Sequence, residues 1–126
     1  MNPSLWTNAY GPVQLADRSC VPCRGGVPPL KGNQLREIHQ QLAQPGQWKI
    51  IDEHRLVRAY KFGDFKTALA FVNRVGELAE EQGHHPEIVL GWGKVEIRTW
   101  THAVDGLTES DFILAAKIEQ LGEPIG

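Results

Sequence analysis

Apolar residues along this chain change their spacing from helical to alternating and back, and the changes mark out seven elements. Leu35, Ile38 and Leu42 recur at three- and four-residue intervals, which predicts a helix over Gln34–Ala43 with Asn33 as its N-cap. Pro45-Gly46 breaks it. Trp48–Ile51 and Arg55–Phe62 read as strands joined by Asp52-Glu53-His54. In the second, Leu56, Tyr60 and Phe62 share a face, with Arg58 the exception. Asp64 is placed to cap the strongest helix, in which Phe65, Ala68, Leu69, Val72, Val75 and Ala79 follow the helical rule to about Gln82. Gly83 fits the position just past its C-terminus. Glu87–Leu90 and Lys94–Thr101 form a second strand pair around Gly91-Trp92-Gly93. There Val95, Ile97 and Thr99 alternate with Glu96, Arg98 and Trp100. Thr108-Glu109-Ser110-Asp111 has capping-box spacing, with an aspartate in place of the usual Glu or Gln. It opens a last helix through Phe112, Ala115, Ala116 and Ile118, closed by Gly122-Glu123-Pro124.

The order α-β-β-α-β-β-α predicts an α+β domain: a four-stranded antiparallel sheet with three helices packed on one face. Such a sheet has edges, and edges invite pairing with a second copy. Residues 1–30 hold five of the eight prolines and no regular period, so they are expected to form an irregular N-terminal extension to a folded domain over 31–126.

At 126 residues and 14.1 kDa the chain has the size of one domain. Thirteen basic against fifteen acidic residues leave a net charge of -2, without the cationic surplus that direct nucleic-acid binding uses. No apolar run reaches the roughly 18 residues of a membrane span, and the N-terminus lacks the charged and apolar regions of a signal peptide. A cytoplasmic protein, acting neither on nucleic acid nor at a membrane, is the expectation.

Cys20 and Cys23 form the only Cys-x-x-Cys pair. Such a pair can be half of a metal site, a redox motif or an inert feature of a tail. Loop chemistry on both flanks, Asp17-Arg18-Ser19 and Arg24-Gly25-Gly26-Val27-Pro28-Pro29, favours the last.

Three of five histidines fall within 19 residues: His84, His85 and His102. His84-His85-Pro86 follows a helix C-terminus, and His102 ends the strand expected to return beside it. Imidazole donates on one nitrogen and accepts on the other, and its pKa near 6.5 lets it work both ways at neutral pH. Three readings fit: a cationic cap on the helix end, a three-histidine metal site, and acid–base catalysis supported by Glu80 and Asp111. Adjacent side chains such as His84 and His85 generally diverge, which disfavours the metal. No nucleophile elbow and no Gly-rich nucleotide loop is present.

Glu80-x-x-x-His84-His85-Pro86, Trp92, His102 and Asp111, at these spacings, resemble the signature of pterin-4a-carbinolamine dehydratases. These are also known as dimerisation cofactors of a homeodomain transcription factor. The resemblance runs from about Pro29 to Gly122 and includes Gly46-Gln47-Trp48, Phe62-x-Asp64-Phe65 and Phe71-Val72-x-Arg74-Val75. It implies dehydration of 4a-hydroxytetrahydrobiopterin to quinonoid dihydropterin, in the recycling of the pterin used by aromatic amino acid hydroxylases. It further implies catalysis by His84, His85 and His102. Glu80, Pro86, Thr101 and Asp111 would shape or line the pterin site. The pterin would be the substrate, with no metal or organic cofactor, and the protein would be a homo-oligomer, dimer or tetramer. Ser110 stands where a basic residue is common in the family, and Gly83 where a polar one is. Animal members are bifunctional, so the resemblance also admits a protein-binding adaptor or coactivator, or an enzyme acting on a molybdopterin-related pterin.

Overall fold

The computed structural model describes residues 14–20 and 27–121. Its helices are α1 (Gly32–His39), α2 (Phe65–Gln82) and α3 (Glu109–Glu119). Its strands are β1 (Lys49–Ile51), β2 (Arg55–Lys61), β3 (Glu87–Gly91) and β4 (Lys94–Thr99). The strands form one antiparallel sheet in the order β1-β2-β4-β3, so the two hairpins meet along β2 and β4. The fold is the α+β arrangement expected from the alternation of periods.

The sheet turns one face inward. Leu56, Tyr60, Val95 and Ile97 pack there against Ala68, Phe71 and Val75 of α2, Leu35 and Ile38 of α1, and Phe112 and Leu114 of α3. The opposite face carries Glu87, Glu96 and Arg98 in register across β3 and β4, with Arg98 bonded to both glutamates. The β3–β4 hairpin closes over Trp92-Gly93. Phe62 donates to the Gly93 carbonyl at 2.8 Å, and a Cβ on Gly93 would come within 2.8 Å of the Phe62 carbonyl oxygen.

Several expectations shift in detail. α1 starts at Gly32 with Lys31 at its N-cap, and Asn33 lies inside the first turn, where its side chain accepts from Arg36 rather than capping the helix. α1 ends at His39; Leu42 stays buried but lies on the turn beyond. Arg58, the exception in the alternation of β2, does face the core. It is only 5% exposed, its guanidinium lies 4.3 Å from the Tyr60 ring centroid, and it meets Gln44 and Glu119. On α2 the buried stripe is Ala68, Phe71, Val75 and Ala79, whereas Phe65 and Leu69 remain 45% and 39% exposed. The apolar surface of α2 is thus wider than the domain covers.

Asp64 caps α2 by accepting the Thr67 amide at 2.8 Å, and Gly83 ends it at φ 65°, both as expected. The expected stop at Gly122-Glu123-Pro124 lies outside the described residues, as does Cys23. Residues Leu15–Asp17 form a 3₁₀ turn whose Leu15 is buried in the core, and Lys117 donates to the Ala16 carbonyl at 2.8 Å. This part of the extension therefore packs across α3. Among the described residues no helix is long and apolar enough to cross a membrane.

Candidate active site

Two helix ends and one strand end build the site. At the end of α2 the Gly83 amide bonds to the Glu80 carbonyl and the His84 amide to the Ala79 carbonyl, the paired bonds of a Schellman motif. Only a residue that tolerates positive φ makes this turn cheaply. The turn sends the chain sharply off the helix axis, so His84 is placed by backbone geometry as well as by its own contacts.

On the strand side, Val95, Ile97 and Thr99 alternate inward along β4. Thr101 keeps the same parity two residues on, held by an isolated bridge to Gly106 with bonds of 2.7 and 3.3 Å. The chain then turns through His102–Val104 and returns to Thr108, the N-cap of α3. Asp111 is the third residue of that helix, where a carboxylate is favoured by the aligned amides.

These pieces converge on Asp111, which has no exposed surface. Oδ1 accepts from the Thr99 hydroxyl at 2.6 Å and lies 2.6 Å from His84 Nε2. Oδ2 accepts from the Thr101 hydroxyl at 2.8 Å and from the Thr108 amide at 3.0 Å. The Thr101 and Thr108 hydroxyls are themselves 2.8 Å apart. A carboxylate surrounded by donors acts as acceptor only, so Nε2 of His84 is the donor in this contact. The His84 side chain is 11% exposed.

The other candidates lie differently. His85 is 60% exposed and pairs with Glu80 at the surface, so the two neighbours diverge as their adjacency suggested. Pro86 is half-buried between this pair and β3. His102 is exposed and stacks on Trp100, ring centroids 4.7 Å apart. Around Trp100 gather the Arg55 guanidinium, 4.8 Å from the ring centroid, and His54, which is bonded to Asp105 at 2.7 Å. The structure thus joins His84, Thr101 and Asp111 in one network, joins His85 to Glu80, and sets His102 on an aromatic support.

Sequence reasoning missed Thr99, Trp100 and Cys20 as neighbours of these groups. Thr99 did carry a signal: a hydroxyl on the apolar face of a strand must find a partner. Cys20 is not a loose tail feature. Its amide donates to Gln82 Oε1 at 3.0 Å and its thiol to the Ser110 carbonyl at 3.4 Å. Burial, and then the charge of Asp111, push the thiol up to about 11.

The profile of the pterin 4 alpha carbinolamine dehydratase family matches residues 29–121. A Rubrobacter xylanophilus protein whose name assigns it provisionally to pterin-4-alpha-carbinolamine dehydratase is 59% identical over 108 residues, covering 86% of this chain and 98% of its own. The crystal structure of a transcriptional coactivator/pterin dehydratase from Brucella melitensis superposes with a TM-score of 0.66 at 30% identity, covering 74% of this chain and 97% of that one. A pterin dehydratase-like protein described as a RuBisCO assembly factor in the alpha-carboxysome superposes at 0.53 and 26% identity, over 61% and 92% of the two chains. The profile and these relatives place the chain in the pterin dehydratase class. The chain belongs to the pterin 4 alpha carbinolamine dehydratase family.

Proposed function

We propose that the chain removes water from 4a-hydroxytetrahydrobiopterin to give quinonoid dihydropterin, with histidine side chains moving both protons. The observation that carries this reading is the buried Asp111 holding the protonated nitrogen of His84 at 2.6 Å. An imidazole fixed in this way presents Nδ1 as a base, and the carboxylate behind it stabilises the imidazolium that forms when a proton arrives.

In the reaction the C4a–O bond breaks, the N5 proton leaves and a C=N bond forms. The hydroxyl and the one proton given by the acid make up the water, and the proton taken from N5 by the base restores the acid. His84 takes the N5 proton, and His102, supported on Trp100, protonates the departing hydroxyl. His85, turned toward Glu80, positions the substrate. Pro86 shapes the turn, and buried Thr101 holds Asp111 in place behind His84. The balance needs no metal and no organic cofactor. The reaction belongs after a pterin-dependent hydroxylation and before a reductase.

Stopped-flow measurement of quinonoid dihydropterin from freshly made carbinolamine tests this. His84→Ala and His102→Ala should each lower kcat by roughly 10- to 1,000-fold. The double variant should fall by less than the product, because groups acting as a unit are non-additive. His85→Ala should cost less in kcat and more in KM. A folded double variant with wild-type turnover would refute the assignment. A wild-type protein that gives no acceleration over the spontaneous reaction would favour an adaptor role, as the coactivator description of the Brucella melitensis relative suggests. The complete Asp111 network argues for the enzyme, because recruiting a partner requires no buried carboxylate behind an imidazole.

A further inference from the structure

The pair His84–Asp111 is assembled from two separate helix ends, and a third piece of chain touches both. Gln82, the last residue of α2, stands two positions before His84, and Ser110 directly precedes Asp111. Cys20 bonds to both of these neighbours, through its amide to Gln82 and through its thiol to the Ser110 carbonyl. We propose that Cys20 is a positioning residue, the clasp by which segment 14–20 holds the ends of α2 and α3 at the spacing the His84–Asp111 bond needs. The clasp rests on the reading of His84 as the proton acceptor.

The segment is anchored well enough to act in this way. Leu15 sits in the core, the Ala16 carbonyl accepts from Lys117, and Arg18 reaches Glu109 at 2.9 Å. The last pair is solvent-exposed and adds little by itself. Three successive contacts along α3, at Lys117, Ser110 and Glu109, nevertheless fix the direction of the segment. Cys20 thereby arrives beside the first turn of α3. Its thiol remains protonated at neutral pH, because burial and the Asp111 charge both disfavour the thiolate. It therefore stays in the form that donates to Ser110. The segment lies outside residues 29–121 matched by the family profile, so none of the positions that carry the family signature includes it.

A catalytic pair must keep its geometry within about half an ångström, and a misplacement of about 1 Å can cost on the order of 100-fold. Removing one side of the clasp lets the two helix ends relax against each other without opening the core. Cys20→Ala removes the thiol donor. Gln82→Ala removes the amide acceptor while keeping a good helix former at the end of α2. Each should lower kcat by roughly 3- to 30-fold with KM changed less than about twofold. Combining them should add little, since both cut the same link. Cys20→Ser, which keeps a donor, should restore most of the loss. Ile118→Val, a core trim away from the clasp, should lower Tm while leaving kcat within about twofold.

A second readout is independent of turnover: the downfield proton NMR signal of His84 Nε2–H, bonded to the buried carboxylate. In reducing buffer it should shift or broaden in Cys20→Ala and in Gln82→Ala, and return in Cys20→Ser. If both variants are folded and keep wild-type kcat and an unmoved signal, the clasp is refuted. It is also refuted if Ile118→Val loses turnover to the same degree. If the wild-type protein proves not to be a dehydratase, the signal alone decides. A shift then leaves the clasp standing while the proposed reaction falls, and an unmoved signal removes both.

Discussion

Asp111 has no exposed surface, and its two oxygens meet two threonine hydroxyls, a backbone amide and an imidazole. Asp111→Asn keeps the shape but turns one oxygen into a donor, which must then face a group that also donates. An unpaired buried donor costs about 1–3 kcal/mol. The imidazole also loses the partner that selects its tautomer, so kcat should drop by roughly 100- to 10,000-fold while circular dichroism stays native. A variant with wild-type turnover would show that the carboxylate is merely structural. Cys20 offers a second test at this scale. Its thiol, pushed up from 9.0 to about 11, should alkylate roughly 10- to 100-fold more slowly at pH 8 than a free thiol, measured in a Cys23→Ser background. Because the folded state holds this proton more tightly than the unfolded chain, the associated stability is complete below about pH 9. It is lost as pH rises toward 11, and Tm should fall across that window.

At the scale of elements, the turn after α2 carries the greatest burden. Gly83 adopts φ 65° and nothing lies within 4 Å of the place a Cβ would occupy, so the cost of Gly83→Ala is one of backbone conformation alone. That cost is about 1 kcal/mol, enough to lower Tm by a few degrees. Since His84 is the next residue, kcat should fall as well, and Gly83→Asn should be milder on both counts. Equal Tm for the glycine and alanine proteins would contradict the Schellman geometry. This turn was legible in the sequence: an apolar stripe ending in Gln82-Gly83 leaves few other places for a helix to stop. Thr108 and Asp111 were legible for the same kind of reason, since capping has a fixed spacing. The covering of α3 was not recognised. Phe112-Ile113-Leu114-Ala115-Ala116 is apolar on every side, and such a helix must be buried on every side. That signal called for a further layer, and residues 14–20 supply part of it. Proline content hid this, because it marks the lack of regular structure and says nothing about burial.

Across the whole molecule, short-range rules located the strands and the helices but not the partners of their exposed faces. Arg58 shows the limit: a charge on an apolar face reads as an exception, and only the arrival of Gln44 and Glu119 from other places, beside Tyr60 on the same strand face, explains it. Phe65 and Leu69 show the reverse. Their spacing is that of core residues, yet they stand 45% and 39% exposed, beside half-buried Val72. β1 and β3 are the edges of the sheet, and β3 adds exposed Val89. An apolar helix flank and an open strand edge are two separate surfaces that a second copy can cover, the edge by strand pairing across a two-fold axis and the flank by helix packing. Light scattering at micromolar concentration should therefore report two or four times 14.1 kDa. Phe65→Glu/Leu69→Glu should reduce the mass without unfolding the domain, because neither side chain belongs to the buried core. If both surfaces are used, this variant stops at the dimer and becomes monomeric only when the β3 edge is also blocked, for example by Val89→Pro. A wild-type species of 14.1 kDa under these conditions would sink the prediction.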